Sequence, residues 1–335
     1  MQAEGGYSPE YFSSIRAQSR ASARVVAPLV MQLLQPRSVV DVGCGTAAWA
    51  AAFKAAGVGE VLGIDGDYCT RAELEIAETE FQAADLTKPI EFGRRYDLAI
   101  CLEVAEHLEP QYATPLIDSL TRLAPVVLFS AAIPFQGGEH HVNEQWPAYW
   151  IELFAERGYI VFDVLRQSLW TNKEVAWWYA QNMLLFVDRK AVNDSPKLTQ
   201  LSATIGPDVP SLVHPGCWFQ LAWKNRVLEA AIDLMHVTPP GARILLVDNA
   251  ELGKLPSLGR ALEPFTERDG IYNGPPVDSQ AAIEELQRKL KAGATNIAFA
   301  WPALWWLEHY DEFAEYLRAR MTTILMNERW IVFGR

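Results

Sequence analysis

The sequence predicts an α/β protein in which a doubly wound, mostly parallel seven-stranded sheet precedes a second, smaller α/β unit. From about residue 36 to 188, short apolar runs alternate with amphipathic helical stretches. Such alternation is typical of a parallel sheet with helices on both faces. The first apolar run also passes through a glycine-rich turn, Gly43-Cys44-Gly45, directly into a helical stretch. A second alternation of strand and helix patterns starts at residue 242 and predicts the smaller unit.

Local patterns define the elements of the first unit. Strands are predicted where branched and aromatic residues form short runs bounded by turn residues. Helices are predicted where apolar residues recur at helical spacing. The predicted strands span 38–42, 60–65, 96–102, 125–131, 159–165 and 182–187, with a further short strand before Asp85, and the predicted helices span 46–56 and 111–123.

The remaining chain divides into a connecting segment and the second unit. The stretch 189–215 contains Asn-Asp-Ser-Pro, Gly-Pro and Val-Pro steps and shows little periodicity, which predicts an irregular crossing segment. We therefore assign a first domain to 1–188, a linker to 189–241 and a small α/β domain to 242–335. Within the last of these, the predicted strands span 242–248, 296–300 and 323–333, and the predicted helices span 278–292 and 304–321.

Composition and charge narrow the class of protein. The formal net charge of −12 argues against a general nucleic-acid binder, and no dense Lys/Arg run is present. Met1–Glu10 lacks the basic and apolar regions of a secretory signal. No uncharged apolar run approaches the roughly 20 residues needed to span a bilayer. We therefore expect a cytoplasmic protein without a membrane span.

The cysteines indicate neither disulfides nor a metal-binding cluster. Cys44, Cys69, Cys101 and Cys217 are scattered and show no paired metal-ligand spacing. We expect all four to be buried thiols in a reducing compartment.

Acidic residues around the glycine turn indicate which ligand it binds. Glycines allow close approach of the backbone, and the helix that follows offers free N–H groups. Asp41 precedes the glycines, where a carboxylate suits a positively charged group, such as an ammonium, better than a pyrophosphate. Asp65 follows Gly43 by 22 positions, close to the spacing at which an acidic residue reaches ribose hydroxyls. Asp85 follows the third strand, where it can reach an adenine amino group.

The ordered motifs resemble those of class I S-adenosylmethionine methyltransferases. Asp-x-Gly-x-Gly is followed by Gly-x-Asp, Ala-Asp-Leu and Tyr-Asp-Leu-Ala-Ile-Cys-Leu-Glu-Val-Ala-Glu-His-Leu, and the resemblance covers about residues 25–188. It implies a Rossmann-like fold and S-adenosylmethionine as cofactor. The cofactor-binding residues that it implies are Asp41, Gly43, Cys44, Gly45, Asp65, Gly66, Ala84, Asp85, Leu102 and Glu103.

Two details qualify this resemblance. Such enzymes often have a further glycine where this chain has Ala47. Because alanine is small, we expect cofactor binding to survive. The alternatives are a Rossmann-type dehydrogenase and an inactive relative. They are disfavoured because Asp41 and the Glu-Val-Ala-Glu-His segment have no rationale in a dehydrogenase.

A second group of polar residues indicates where the methyl group goes. Glu103, Glu106 and His107 follow the strand 96–102, at the edge of the sheet where ligands bind. If this segment is helical, their spacing places all three on one face. Two carboxylates and an imidazole can hold a divalent metal, or position a base beside a substrate hydroxyl. His141 lies further on, in Gly-Gly-Glu-His-His-Val-Asn-Glu-Gln-Trp.

The same residues resemble the motifs of two metal-using groups. The Glu-x-x-Glu-His segment together with a later histidine resembles the small-RNA 3′-terminal 2′-O-methyltransferases. The Glu-x-x-Glu-His segment alone also resembles the ubiquinone-pathway O-methyltransferases. This resemblance implies that Glu103, Glu106, His107 and His141 ligate magnesium or a similar ion. Two alternatives remain open: His107 or His141 acts as a catalytic base without a metal, or both have structural roles. Histidines at the site favour a hydroxyl acceptor, because an alcohol must lose a proton.

The tryptophans and the second unit give weaker indications. Twelve tryptophans are present, and Trp177 and Trp178 are the best candidates for stacking on a sugar ring, with core packing as the alternative. The segments 270–276 and 300–307 resemble a C-terminal unit of bacterial proteins of cell-surface polysaccharide assembly, including glycosyltransferases. Glu308, His309 and Asp311 lie together on a predicted helix, and we expect a solvated face rather than a second catalytic centre.

These observations lead to one main hypothesis and its alternatives. The first is an O-methyltransferase acting on a sugar hydroxyl in glycan or glycolipid biosynthesis. The second is an O-methyltransferase of a small-metabolite hydroxyl, such as a phenol. The third is a non-catalytic adaptor that keeps the fold for glycan assembly. An RNA substrate is disfavoured by the acidic charge. The second unit would shape the acceptor site, pair subunits or dock a partner enzyme.

Overall fold

The computed structural model describes residues 9–203, 209–253, 255–257 and 259–335. Residues 1–8, on which most of the secretory-signal prediction depends, lie outside these ranges. The chain divides into two compact units, Met1–Phe219 and Gln220–Arg335. In the described residues, no helix combines the length and the apolar character that crossing a membrane requires.

The first unit contains the predicted seven-stranded sheet. The strands lie in the order β3-β2-β1-β4-β5-β7-β6. Strands β1 to β5 are parallel to one another, whereas β7 is antiparallel to both β5 and β6. The predicted fold class is therefore confirmed. The strands are β1 (Ser38–Val42), β2 (Glu60–Asp65), β3 (Phe81–Ala83), β4 (Leu98–Leu102), β5 (Val126–Ser130), β6 (Tyr159–Phe162) and β7 (Leu184–Asp188).

Helices cover both faces of this sheet, so its strands are apolar on both sides. In β4, Ile100 belongs to the core that contains Phe53, whereas Cys101 belongs to the core that contains Leu116 and Phe154. The two-residue period of a strand sends neighbouring side chains to opposite faces. The helices are α1 (Pro9–Leu34), α2 (Ala48–Ala55), α3 (Ala113–Leu123), α4 (Pro147–Ala155), α5 (Arg166–Leu169), α6 (Trp177–Asn182), α7 (Arg189–Asp194), α8 (Pro196–Ser202) and α9 (Pro215–Val237).

The second unit has its own five-stranded sheet, in the order β13-β14-β12-β8-β9. Strand β8 is parallel to β9 and β12, and β14 is antiparallel to β12 and β13. Trp306 and Trp330 are fully buried in its core. Its elements are β8 (Arg243–Val247), β9 (Ala261–Pro264), β10 (Glu267–Arg268), β11 (Ile271–Tyr272), α10 (Ser279–Lys291), β12 (Asn296–Ala300), α11 (Trp306–His309), α12 (Asp311–Arg320), β13 (Thr322–Met326) and β14 (Trp330–Gly334).

The segment predicted to be irregular, 189–241, is largely helical where it is described. It contains α7, α8 and the 23-residue helix α9. The proline steps mark helix starts, because Pro196 and Pro215 are the first residues of their helices, where the missing N–H costs nothing. The division between the units falls after Phe219, inside α9.

Three smaller differences concern single elements. Helix α1 has no counterpart among the predictions. The helix predicted over 304–321 is interrupted at Tyr310 and forms α11 and α12. The extended segment 323–333 is a hairpin, whose turn is closed by Asn327 N–H donating to the Trp330 carbonyl oxygen.

Of the four free cysteines, three are buried as predicted, but Cys69 is only half-buried because it lies in the loop after β2.

Candidate active site

The glycine turn after β1 is fixed by backbone contacts. Gly43 has φ +76°, and a methyl group at this position would lie 2.4 Å from Val104 Cγ2. The N–H groups of Gly43 and Cys44 both donate to the Ile64 carbonyl oxygen, at 2.8 and 3.1 Å. Burial raises the pKa of the Cys44 thiol, which therefore stays protonated. The turn needs glycine both for its backbone conformation and for its close packing against Val104.

Asp65 lies beside this turn at the end of β2. Its Oδ2 accepts from Gly45 N–H at 2.7 Å, and its Oδ1 accepts from Gly66 N–H at 2.6 Å and from the Tyr68 hydroxyl at 2.5 Å. The residue is 4% exposed. The structure thus brings Gly45, Asp65 and Gly66 together. The carboxylate is held rigidly by backbone donors, a suitable arrangement for accepting hydroxyl groups of a ligand.

Asp41 lies in the interior, on β1. It is 3% exposed, and its Oδ2 accepts from Ala50 N–H at 3.2 Å. Burial raises the pKa of this carboxyl to about 8. A nearby ligand cation would favour the ionised form.

The other residues assigned to the adenine end lie after β3. Ala84 N–H donates to the last carbonyl oxygen of β2 at 2.8 Å, which fixes the start of the loop. Asp85 is exposed, accepts from the Thr87 hydroxyl at 2.6 Å and pairs with Lys88 at 2.9 Å. These bonds, led by the one from Thr87, lower the pKa of Asp85 to about 2. The carboxylate is therefore ionised and can accept further hydrogen bonds.

Glu103 follows the buried Leu102 at the carboxyl end of β4. Its backbone has φ +55°, a conformation that side-chain-bearing residues rarely adopt. Its N–H donates to the Ser130 carbonyl oxygen at 3.0 Å, which ties it to β5. The carboxylate accepts from Gln136 Nε2 at 3.0 Å and Asn182 Nδ2 at 3.1 Å. Glu103 is therefore bound by two side-chain amides.

The sequence did not identify these amides as site residues. Gln136, Gln181 and Asn182 are each at most 5% exposed. Gln181 Nε2 donates to Gln136 Oε1 at 3.1 Å and to Asn182 Oδ1 at 2.9 Å, which completes a buried network. Asn182 was predicted as the first residue of a strand, but it ends α6. The sequence contains one signal for them, the consecutive amides Gln181 and Asn182 just before an apolar strand. Amide side chains are mostly exposed, so a pair next to a buried strand suggests a specific role.

Glu106 lies in a short 3₁₀ turn, 105–107, and is fully buried. Neither of its carboxyl oxygens has a hydrogen-bond partner among the described residues. Burial, and then the neighbouring Glu103, raise the pKa of Glu106 well above its ordinary value. Its backbone oxygen accepts from Val142 and Asn143 N–H, at 2.8 and 3.0 Å, which brings the loop after β5 to this position. An unpaired buried carboxyl group is costly and calls for a functional explanation.

His107 and His141 complete this group, which we call the Glu/His cluster: Glu106, His107 and His141. The two rings are perpendicular, with centroids 4.9 Å apart. One side-chain oxygen or nitrogen atom of each of the three residues lies within 4.8 Å of the others, a spacing that suits a metal ion. His107 is exposed as a residue, but partial desolvation of its ring, and then His141, lower its pKa.

The fourth predicted ligand, Glu103, lies outside this group of three, bound to Gln136 and Asn182. Two imidazoles and a carboxylate are donors that divalent metals accept. The unpaired oxygens of Glu106 fit such an ion. Without a metal, a neutral imidazole is the group best suited to accept a proton near neutral pH.

The tryptophans divide between core and surface. Trp150 and Trp306 are at most 2% exposed, which confirms core packing for these two, whereas Trp146 is 40% exposed on the loop that carries His141. Trp177 and Trp178 are half-buried; Trp177 packs so closely on Gly216 that a methyl group there would lie 2.7 Å from its Cγ. In the second unit, the predicted solvated face is confirmed, since Glu308, His309 and Asp311 are all exposed.

A comparison with known families identifies the class. The sequence profile of the methyltransferase domain family matches residues 15–190, more than half of the chain. The chain therefore belongs to the methyltransferase domain family. It is an enzyme of the S-adenosylmethionine-dependent class, as the glycine turn and the acidic strand ends indicated.

Solved structures with similar folds include methyltransferases, and no curated protein sequence matches the chain. DesVI from Streptomyces venezuelae is 13% identical over 53% of this chain and 95% of its own, with a TM-score of 0.43. The sugar N-methyltransferase KedS8 from a Streptoalloteichus species is 17% identical over 56% and 96%, with a TM-score of 0.44. Magnesium protoporphyrin IX methyltransferase from Synechocystis, with bound SAH, is 20% identical over 56% and 90%, with a TM-score of 0.41. Identities and TM-scores of this size do not indicate a substrate for this chain.

Proposed function

We propose that the protein is an O-methyltransferase that acts on a sugar hydroxyl of a glycan or glycolipid precursor. The observation that carries the proposal is the Glu/His cluster at the carboxyl ends of β4 and β5. A hydroxyl group must lose its proton during transfer, whereas a neutral amine attacks with a free electron pair. Two imidazoles and an unpaired carboxyl group suit a hydroxyl acceptor.

The proposed cofactor site lies at the same edge of the sheet, at the carboxyl ends of β1, β2 and β3. Asp65, already fixed by backbone donors, would accept hydrogen bonds from the ribose hydroxyls. The glycine turn 43–45 would allow the cofactor to approach closely, and Asp41 would offset the charge of its ammonium group. Asp85 would accept from the adenine amino group, and Leu102 and Glu103 would border the site. Cys44, Gly66 and Ala84 would contribute backbone and small side-chain contacts.

Methyl transfer then follows from positioning and proton removal. The acceptor oxygen attacks the methyl carbon in line with the carbon–sulfur bond, which breaks and releases S-adenosylhomocysteine. The proton of the acceptor hydroxyl passes to the unprotonated nitrogen of His141 or His107. The lowered pKa of His107 keeps its ring neutral and therefore able to accept.

The cluster also fits a divalent metal ion that accepts imidazole ligands. Magnesium is the ion that the resemblance implies, but it prefers oxygen ligands, so a transition metal fits this donor set better. Glu106, His107 and His141 would hold it, with Glu103 as the fourth ligand implied by the resemblance of the sequence. The carboxyl oxygens of Glu106, buried and unpaired among the described residues, support this assignment. A metal ion lowers the pKa of a hydroxyl group that it binds.

The sugar acceptor has separate support. Trp146 is 40% exposed on the loop that carries His141, where an indole can stack on an apolar sugar face. Trp177 and Trp178 remain proposed contacts. We propose that the reaction belongs to polysaccharide biosynthesis in the cytoplasm. The resemblance of the second unit to proteins of surface-polysaccharide assembly supports the pathway. The second unit then joins copies of the chain or docks a partner enzyme.

Two other functions make different predictions. An enzyme for small-metabolite hydroxyls would methylate phenols instead of sugars. A non-catalytic adaptor would bind the cofactor without turnover. The intact glycine turn and Asp65 are observations against an adaptor, because they would not be needed for assembly alone.

A panel of acceptors tests the proposal. The protein is incubated with S-adenosylmethionine and methyl glycosides, nucleotide sugars, simple phenols or amino sugars. Release of S-adenosylhomocysteine is measured by mass spectrometry, with and without EDTA. We expect O-methylated sugar products. Methylation of amino sugars alone would refute O-transfer, and methylation of phenols alone would favour the small-metabolite enzyme. Cofactor binding without product from any acceptor would favour the adaptor.

A further inference from the structure

We propose that Glu144 is a positioning residue that fixes His141 as the tautomer with its proton on Nδ1. The electron pair of the ring is then on Nε2, the nitrogen to which this proposal assigns the acceptor proton or a metal ion. This inference rests on the proposed function, because it concerns the same histidine. It adds a residue that neither the motifs nor the family resemblance indicated.

The first observation is the contact between the two side chains. His141 Nδ1 lies 2.9 Å from Glu144 Oε1. An ionised carboxylate can only accept hydrogen bonds, so the ring nitrogen must be the donor and must carry the proton. In a neutral imidazole the other nitrogen, Nε2, then has the free electron pair. The contact therefore determines the tautomer, as a carboxylate does for catalytic and metal-binding histidines.

The second observation is that Glu144 is itself immobilised. Its Oε1 also accepts from Gly137 N–H at 2.6 Å, and its Oε2 accepts from Phe135 N–H at 2.7 Å. The side chains of Glu144 and His141 are only 18% and 11% exposed. Phe135 is held at φ +69°, which is rare for a bulky residue. The backbone of the loop thus holds the carboxylate, and the carboxylate orients the ring.

The third observation concerns the space that the ring occupies. The His141 ring lies over Gly138, where a methyl group would be 2.2 Å from Nε2 and 2.5 Å from Cε1. Any side chain at this position would push the ring away. Gly138 has no positive φ, so packing of the ring, and not backbone strain, accounts for the glycine. Together, Glu144 and Gly138 set both the protonation pattern and the location of the ring.

The fourth observation connects this arrangement to the cluster. The N–H groups of the two residues after His141 donate to the Glu106 carbonyl oxygen. The loop is thereby anchored on the buried residue whose carboxyl group lacks a partner. Glu144 thus holds the ring of His141, and the backbone of Glu106 holds the two residues that follow it. The ring centroids of His141 and His107 lie 4.9 Å apart.

The test is the substitution Glu144→Ala, with Glu152→Ala as a matched control on the exposed side of α4. Alanine removes the carboxylate that holds the proton on Nδ1, so the neutral ring is free to carry its proton on Nε2. Nitrogen-15 NMR of histidine-labelled protein reports which ring nitrogen carries the proton. We expect the proton of His141 to move from Nδ1 to Nε2, and kcat to fall by about 10²- to 10⁴-fold. Affinity for S-adenosylhomocysteine should change less than about twofold.

A second variant and a second readout separate positioning from folding. Gly138→Ala keeps Glu144 but displaces the ring, so kcat should fall while the Nδ1–H tautomer and the thermal midpoint are retained. If the cluster holds a metal, Mn²⁺ affinity of Glu144→Ala should fall about 10- to 100-fold, as expected for a lost orienting partner.

The outcomes distinguish this inference from the proposed function. An unchanged Nδ1–H tautomer in folded Glu144→Ala would overturn the positioning role, whatever the activity. A reversed tautomer with unchanged kcat would also overturn it as a role in the reaction. If Glu144→Ala reverses the tautomer and lowers kcat for an amine acceptor, positioning stands and the hydroxyl acceptor is wrong.

Discussion

Each unit has polar side chains at the carboxyl end of a parallel strand. The two units differ in whether these side chains already have hydrogen-bond partners. In each, a residue with a left-handed backbone follows a parallel strand: Glu103 after β4, with φ +55°, and Asn249 after β8, with φ +56°. In the second unit Asn249 Oδ1 accepts from Tyr272 and Trp306, and Nδ2 donates to the Pro302 carbonyl oxygen. That side chain joins three segments of its own unit.

At the corresponding edge of the first unit, carboxyl and imidazole groups remain available to a ligand. Glu106 is fully buried, and neither of its carboxyl oxygens is paired among the described residues. His107 and His141 present ring nitrogens to the same place. A strand end at a parallel edge is thus not sufficient for function, because its polar groups can be consumed by the fold. We therefore expect methyl transfer to take place at the first unit and Asn249 to stabilise the fold of the second.

The largest expected effect follows from removing the carboxylate beside the glycine turn. In Asp65→Ala, a ligand loses charged hydrogen bonds worth about 1.5–3 kcal/mol each, so S-adenosylhomocysteine should bind at least about 100-fold more weakly. Isothermal titration calorimetry measures this. Asp67→Ala, two residues away with a 91% exposed side chain, is the control and should bind normally. Equal affinity of both variants would contradict the assignment of Asp65.

A second substitution tests the structural role of the other edge. Asn249→Ala removes the partner of the buried Trp306 Nε1–H and should lower the free energy of unfolding by about 1–3 kcal/mol. Turnover per folded molecule should not change. Denaturant unfolding and initial rates measure the two effects. A large fall in kcat with unchanged stability would show that the second edge takes part in catalysis.

The buried Asp41 makes stability depend on pH. Its folded pKa of about 8 lies above its ordinary value of 3.8, so the folded state binds more protons between these values. Stability from this group is therefore present at low pH and is lost as pH rises towards 8, by at most about 1.4 kcal/mol per unit. Asp41→Asn should flatten this decline in unfolding experiments between pH 5 and 9. A parallel decline in both proteins would exclude Asp41 as its source.

The smallest effect is expected at Ala47, where the family often has glycine. Ala47 directly precedes α2 as its N-cap residue, with φ +61°, and is fully buried. Ala47→Gly would relieve left-handed strain of about 1–2 kcal/mol but increase the freedom of the unfolded chain by about 0.4–1 kcal/mol. Because the buried methyl group is also lost, we expect a net change below about 1 kcal/mol. In contrast, Ala50→Gly, inside α2, should destabilise clearly. Similar losses in both variants would show that Ala47 is not strained.

The sequence was most informative where local patterns determine structure. Strands 38–42, 60–65 and 296–300 agree with the structure to the residue, because each is an apolar run bounded by turn or charged residues. Helix α9 was missed because its apolar residues surround the helix, and Leu228 and Ile232 remain exposed. Without a one-sided apolar stripe, periodicity gives no helical signal.

The site shows the same limit. Asp41, the glycines and Asp65 are close in sequence to elements with strong patterns, so their grouping was predictable. The contacts of Gln136 and Asn182 with Glu103 span 33 and 79 residues. Glu144 lies only three residues from His141, yet its role depends on how the loop folds back onto Phe135. Such roles require coordinates, because spacing alone does not predict loop geometry.

The most direct test of the central claim is turnover of a variant that lacks both imidazoles, His107→Ala with His141→Ala. The measured quantities are kcat with a sugar acceptor and the affinity for S-adenosylhomocysteine. We predict that kcat falls by at least about 10²-fold, the contribution of general acid–base catalysis, while the cofactor affinity stays within about threefold. Full turnover in the double variant would contradict the account, because the Glu/His cluster would then have no part in removing the acceptor proton.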